Sequence, residues 1–222
     1  MKLSNETLTV LKNFASINQG MQFKPGNVLS TMSGGKSVLA QAKIAEKIPT
    51  EAAIYDLKQF LQTANMFEDA ELEFGKSAVA VKNGKASASY TYASKESIVA
   101  PPDKEIKLPS TEISFTLEKT AFAAAQRAAA VLGLPEIVLV GRKGKAFLTA
   151  ADSKNATSHK FEYPVGEAEE DYNMVFKVEN LKLLPRDYEV RVSAKGISHF
   201  ASTTGDVQYW IAVESGSKYG SN

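Results

Sequence analysis

The spacing of apolar residues predicts two helices in the first half of the chain. Ser4 is a suitable N-terminal cap for the first helix, and Thr50 is a suitable cap for the second. The apolar side of each helix consists of residues three or four positions apart. These residues are Leu8, Leu11 and Ala15 in the first helix and Ile54, Leu57, Leu61 and Ala64 in the second. Short extended runs follow each helix, and Asn83-Gly84 is the strongest hairpin signal among them.

The second half of the chain repeats this order. Its first helix is predicted at residues 117–132, ending at Gly133, and a short second helix at residues 178–184, ending before Pro185. Strands are predicted at residues 137–142, 145–151, 159–163, 188–193, 197–203 and 207–213. The apolar residues of the helix at residues 117–132 align with those of the helix after Ser4 at a constant offset in sequence. This alignment indicates that the two halves share a duplicated plan.

Helices and strands follow one another without strict alternation. This order favours α+β domains with mainly antiparallel sheets over a parallel doubly wound sheet, and we expect two helices in each domain. Residues 100–110 contain several prolines and show neither a helical nor a strand period, which is typical of a connector between domains. The predicted domains are therefore residues 1–109, including the connector, and residues 110–222.

Composition restricts the class of protein. Of the 222 residues, 44% are hydrophobic and 23% are charged, as in ordinary globular domains. No apolar stretch reaches the about 18 to 20 residues that cross a bilayer, and the charged Glu6 and Lys12 argue against a signal peptide. We therefore expect no membrane partner. The net charge is only +1, so binding to nucleic acid would require the positive charge to be concentrated on one surface.

Sequence motifs for catalysis or metal binding are incomplete. Gly35-Lys36-Ser37 lacks the earlier glycine of a phosphate-binding loop and joins two predicted strands. His159 and His199 lie in separate strands without a nucleophile pattern, and the chain has no cysteine. The acidic run at residues 167–171 lacks the alternating ligands and central glycine of a calcium loop. The sequence therefore predicts a binding or scaffold protein with no catalytic residues, no cofactor and no metal.

Several segments resemble the sliding clamps of T4-like bacteriophages. They are Met1-Lys2-Leu3-Ser4, residues 11–18 with the sequence LKNFASIN, Tyr55-Asp56-Leu57 with Phe60-Leu61, and Val207-Gln208-Tyr209 with Ile211-Ala212. The resemblance extends over essentially the whole chain. It implies the DNA clamp fold, in which three identical subunits form a ring of six domains with helices around a central hole.

The same resemblance implies a function. Such a clamp encircles double-stranded DNA independently of its sequence and tethers the replicative DNA polymerase as a processivity factor. An ATP-driven clamp loader places it on DNA, and in T4-like phages it also serves late-transcription factors. The implied location is the cytoplasm of the infected bacterial host.

A sliding ring must contact phosphates weakly and must not bind base edges, because sequence-specific contacts would hold it in place. Basic residues on the hydrated sides of the helices would meet this requirement. Lys12, Lys58, Arg127 and Lys182 are the candidates, two in each half, and Lys119 is a further candidate near the start of its helix. Taken singly, each could simply solvate a helix. The surface acids expected outside the ring include Glu68, Asp69, Glu71 and Glu73.

A second predicted site is an apolar cleft beside the connector. Clamps of this general class bind short peptides there, often the C-terminal tails of polymerases. The candidate residues are Ile106, Leu108 and Pro109. The alternative is that these residues only pack the connector against the two domains.

Two other functions are compatible with the residues alone. The first is a phage structural or assembly protein built from duplicated α+β domains. It would have no reason to direct helix cations at one central hole. The second is a nuclease that holds a metal ion with the acids of residues 167–171.

Overall fold

The computed structural model describes residues 1–104 and 106–220. The chain forms two compact units that divide after Lys104, the N-terminal unit and the C-terminal unit. Both combine α-helices with antiparallel strand pairs, so the predicted α+β class is confirmed. Among the described residues, no helix is long and apolar enough to span a membrane.

The N-terminal unit contains two α-helices and seven strands among its described residues. In chain order these are α1 (Asn5–Ile17), β1 (Met21–Phe23), β2 (Gly26–Met32), β3 (Val38–Ile48), β4 (Ala52–Ile54), α2 (Leu57–Ala64), β5 (Glu71–Phe74), β6 (Ala78–Asn83) and β7 (Ala86–Thr91). A 3₁₀ turn at Lys95–Ser97 follows. Strands β2 and β3 form an antiparallel hairpin, β1 pairs with β4, and β5, β6 and β7 form a three-stranded sheet.

The caps of the two N-terminal helices were predicted with different success. Ser4 caps α1 as expected, because its hydroxyl oxygen accepts a hydrogen bond from the N–H of Thr7 at 3.2 Å. The prediction of Thr50 as the second cap is wrong. Asp56 caps α2, and its Oδ1 accepts the N–H of Gln59 at 2.9 Å. The residues between are strand β4, whose three side chains are all buried and therefore mimic an apolar helix face.

The C-terminal unit contains one α-helix and nine strands among its described residues. They are β8 (Ile113–Leu117), α3 (Lys119–Leu132), β9 (Glu136–Arg142), β10 (Lys145–Ala151), β11 (Phe161–Glu167), β12 (Tyr172–Lys177), β13 (Tyr188–Ser193), β14 (Ile197–Ser202), β15 (Val207–Ala212) and β16 (Lys218–Tyr219). One sheet has the order β11-β10-β9-β12-β16, and strands β15, β14, β13 and β8 are neighbours in a second.

The prediction of two helices in this half is wrong for the second helix. Only a 3₁₀ turn forms, at Val178–Asn180, and residues 181–187 form neither helix nor strand. The carbonyl of Leu184 accepts the hydroxyl of Tyr188 at 2.7 Å, and the N–H of Leu184 donates to the hydroxyl of Tyr209 at 3.2 Å. These bonds satisfy the backbone without a helix, and Pro185 cannot supply a helical N–H.

Other boundaries differ by less. Helix α3 starts at Lys119, because the buried Leu117 belongs to strand β8, which the sequence pattern did not predict. The helix ends as expected at Gly133, whose φ of 65° is left-handed. Strand β12 was also not predicted. It pairs with β9, and its Tyr172 ring lies over Gly141, where a Cβ would come within 2.5 Å of the ring.

Candidate functional site

Each of the three α-helices presents exposed cations. Lys12 lies on α1, Lys58 in the first turn of α2, and Lys119 and Arg127 on α3. All four side chains are exposed. Among the described residues, none of the four has an ion-pair partner. Their charges are therefore available to an anion in solution.

The remaining exposed positions of the helices are almost uncharged. They are polar residues, Asn5, Thr9 and Ser16 on α1, Gln59 and Gln62 on α2 and Thr120 on α3, together with the apolar Ala123, Ala130, Val131 and Leu132 on α3. Glu6 is the one carboxylate within the three helices. Isolated cations on a largely neutral surface attract a polyanion without strong local repulsion.

Lys182 is exposed, but its predicted place on a helix is wrong. It lies in residues 181–187, which follow the 3₁₀ turn and form neither helix nor strand. The C-terminal unit thus has two helix cations, both on α3, and Lys182 belongs to a different local structure. Its orientation toward DNA stays a prediction.

The predicted surface acids lie outside the helices. They are Glu68 and Asp69 in the loop after α2, and Glu71 and Glu73 on β5, all exposed. Asp69 lies 3.7 Å from the ammonium of Lys2, and Glu73 pairs with Lys82. Negative charge in this part of the N-terminal unit is therefore kept off the helix surfaces.

Glu46 fixes the start of α1, and the sequence pattern did not reveal it. Its Oε2 accepts the hydroxyl of Thr7 at 2.5 Å, and its Oε1 accepts the N–H of Ser4. Partial burial raises the pKa of Glu46, but the hydrogen bonds from Thr7 and Ser4 outweigh it and hold the pKa below the usual value. A carboxylate at a helix N-terminus also interacts favourably with the helix dipole. Glu46 thus orients the helix that carries Lys12.

We expect Glu46→Gln to destabilise the protein by about 1 kcal/mol at pH 7, the typical size of a capping or charged hydrogen-bond contribution. The folded-state pKa of Glu46 is lowered, so its contribution is present above the ordinary value of 4.5 and is lost as pH falls through the folded-state pKa. Urea unfolding of the original protein and the variant at pH 7 and pH 3 checks this. An equal difference at both pH values would contradict the role of the carboxylate.

The structure places the three connector candidates in different environments. Ile106 and Leu108 are partly buried, and Pro109 is exposed. The preceding part of the connector contacts the N-terminal unit through an ion pair between Asp103 and Lys24. The described residues 106–109 form neither helix nor strand, so their backbone offers no fixed secondary structure to a partner.

The other candidate chemistry is structural. Residues 34–37 form the turn between β2 and β3, where Lys36 has a φ of 58°. Nε2 of His199 lies 2.9 Å from Oε1 of Gln208, the His199 ring stacks on Trp210, and burial lowers the pKa of His199. Among the described residues, no group of three or more His, Asp or Glu side chains could hold a metal ion.

Solved structures define the class of fold. The Helicobacter pylori beta clamp bound to a DNA ligase peptide matches with a TM-score of 0.72 and 14% identity, over 96% of this chain and 65% of that chain. A. fulgidus PCNA bound to the C-terminal region of FEN-1 matches with a TM-score of 0.68 and 14% identity, over 95% of this chain and 96% of that chain. At these identities the similarity shows the fold, which is that of a DNA clamp.

Sequence comparisons define the family. A model described as DNA polymerase processivity factor matches residues 4–100, and one described as gp45 sliding clamp, C terminal, matches residues 115–215. The sliding clamp of Vibrio phage KVP40 is 35% identical over 96% of this chain and 99% of its own length. The sliding clamp of Enterobacteria phage T4 is 26% identical over 99% of both chains. The chain therefore belongs to the phage sliding clamp family of DNA polymerase processivity factors.

Membership of this family confirms the resemblance seen in the sequence and the expectation that the protein is not an enzyme. The nuclease alternative is thereby rejected. The alternative of a structural or assembly protein is also rejected, because the chain matches the two phage sliding clamps over 99% of their length.

Proposed function

We propose that three copies of the chain form a ring around double-stranded DNA, with the helix cations directed at the phosphates. The observation that supports this most is the surface of the three helices, where exposed cations stand alone among neutral residues. Lys12, Lys58, Lys119 and Arg127 each make a weak phosphate contact that moves from one phosphate to the next, and Lys182 adds a fifth. Because phosphate contacts carry no sequence information, the ring slides without reading sequence.

Ring closure uses two different sheet edges. Strands β7 and β11 are the outer strands of their sheets, and the described residues place no further strand beside either. Pro164 and the bulge near Phe147 mark β11 as an edge strand. We propose that β7 of one copy pairs antiparallel with β11 of the next. Lys85 before β7 and Glu167 at the end of β11 then lie at the same end of the joint.

A head-to-tail contact of this kind is heterologous and gives a closed ring when the rotation between successive copies fits, which for the proposed ring means three copies rather than a two-fold dimer. Light scattering across a dilution series is expected to give a solution mass of about three times the 24.0 kDa chain mass. A stable monomer or a two-fold dimer at the highest concentration would contradict the proposed ring.

The connector supplies the proposed partner site. Ile106 and Leu108, partly buried, act as apolar anchors for the C-terminal peptide of the replicative polymerase, with Pro109 at the rim. The peptides bound to the beta clamp and PCNA in the solved structures support peptide binding as a property of the fold. An ATP-driven loader opens the ring, late-transcription factors use the same kind of site, and the protein acts in the cytoplasm of the infected bacterial host.

The two predicted domains, residues 1–109 and 110–222, serve as the repeating parts of this ring. Each contributes helices to the DNA side, two from the first domain and α3 from the second. The unequal number of helices means that the two domains present unequal surfaces to the DNA.

A further inference from the structure

The β2–β3 hairpin carries positive charge on the face that points away from α1. Cross-strand partners Leu29 and Ala42 are buried, whereas Val28 and Lys43 are exposed. Burial distinguishes the two faces at this end of the hairpin, whereas toward the turn Leu39, on the same face as Lys43, is buried. Lys47 shares the exposed face of β3, and Lys36 lies in the turn at the end of the hairpin.

These three lysines have no anionic partner among the described residues. In contrast, six other lysines form ion pairs: Lys2, Lys24, Lys82, Lys95, Lys160 and Lys177. The one acid between Gly26 and Ile48 is Glu46, and it lies on the opposite face of β3, bonded to Thr7 and Ser4. The exposed face of the hairpin is therefore cationic without internal compensation.

This face is directed away from the proposed DNA side of the N-terminal unit. Helix α1 packs on the buried face of β2 and β3, and Lys12 lies on the side of α1 that faces away from the sheet. A duplex that contacts Lys12 is therefore separated from Lys43 by the thickness of the helix and the sheet. The choice of a protein rather than DNA as the ligand rests on the proposed function, in which DNA lies against the helices.

We propose that the exposed face of the β2–β3 hairpin, with Lys36, Lys43 and Lys47, docks an acidic, extended protein segment. Lys43 and Lys47 lie four positions apart on β3, in the stretch where the pairing with β2 shifts register, so the segment needs carboxylates about four residues apart. Val28, 44% exposed, lies directly across from Lys43 and supplies an apolar contact beside the charges. The matching segment therefore carries carboxylates at such spacing and an apolar residue between them.

The probe is a fluorescein-labelled decapeptide with five glutamates, two leucines and three serines, and binding is followed by fluorescence anisotropy at low and physiological salt. Replacing Lys36, Lys43 and Lys47 with glutamine is expected to weaken binding about five- to tenfold, as the loss of three exposed charge pairs implies. Higher salt should weaken binding to the original protein and reduce this difference.

The matched control replaces three other exposed lysines, Lys76, Lys104 and Lys154, with glutamine. This control removes the same charge and is expected to leave peptide binding unchanged within twofold. Equal loss in both variants would show that only net charge matters and would overturn the site. Absence of binding to the original protein would also overturn it.

A second measurement separates this site from the DNA surface. The hairpin variant, placed on circular DNA by a clamp loader with ATP, is expected to be retained like the original protein. Loss of retention would show that the hairpin contacts DNA and would overturn the proposal. If the original protein is not retained on DNA but peptide binding still depends on the three lysines, the proposed function fails and the docking site stands.

Discussion

Replacing Lys12, Lys58, Lys119 and Arg127 with alanine should reduce retention on circular DNA more than about tenfold, while the fold and the solution mass persist. Each substitution removes an exposed charge that is not paired within the described chain. Because every phosphate contact adds a salt-dependent term to binding, the loss of several contacts per subunit accumulates around a three-subunit ring. Exposed substitutions of this kind usually change stability by about 0.5 kcal/mol or less each.

Retention of the loaded protein on labelled circular DNA, measured over a range of salt, is the relevant assay. A control variant replaces four exposed lysines outside the helices, Lys76, Lys104, Lys143 and Lys154, with glutamine, and should keep its retention. Lys182→Ala, made separately, tests the candidate that lies off the helices. If the helix variant and the control lose retention equally, the helices are not the DNA-facing surface.

Replacing Ile106 and Leu108 with serine should weaken binding of a polymerase C-terminal peptide by about tenfold or more and leave DNA retention unchanged. A peptide cleft obtains most of its affinity from a few buried apolar anchors. Both residues are partly buried. Their serine variants therefore lose the apolar surface that would contact the peptide. Direct peptide binding by calorimetry gives the affinity, and urea unfolding of the same sample verifies the fold.

Met66→Ser provides the control for this experiment, because Met66 is 64% exposed and lies outside the connector. The control should bind the peptide normally. Unchanged peptide binding by the connector variant would place the partner site elsewhere. Unfolding of the connector variant at the same urea concentration as the original protein is needed to assign the effect to the site.

Local signals in the sequence predicted the elements that depend on local physics. Ser4 caps α1 through its own hydroxyl, Gly133 ends α3 in a left-handed conformation, and the turn between β9 and β10 falls at residues 143–144, between the strands predicted at residues 137–142 and 145–151. Each of these features depends on residues that are close in sequence. These features could therefore be predicted without the tertiary structure.

The elements that were missed depend on distant partners. Strand β4 is buried on every residue because it pairs with β1, and apolar residues on all sides resemble a helix face. The segment around Leu184 forms neither helix nor strand, and Tyr188 and Tyr209 bond to its backbone. A helical period alone cannot distinguish these cases.

The candidate site shows the same division. The exposed cations of the helices could be predicted, because the apolar side of a helix fixes which residues face solvent. The role of Glu46 could not, since it bonds to Ser4 and Thr7 across about forty positions of sequence. Lys43 and Lys47 gave no signal, because alternating charge on a strand is common on protein surfaces.

The central claim is that the protein encircles DNA, and cutting a loaded DNA circle tests it most directly. The ring is loaded on a circle that contains a single restriction site, and retention is measured before and after cleavage. We expect stable retention on the circle and rapid loss once free ends are created. Blocking the ends with bound protein should restore retention. Equal retention on the circle and on the linear product with free ends would contradict encirclement.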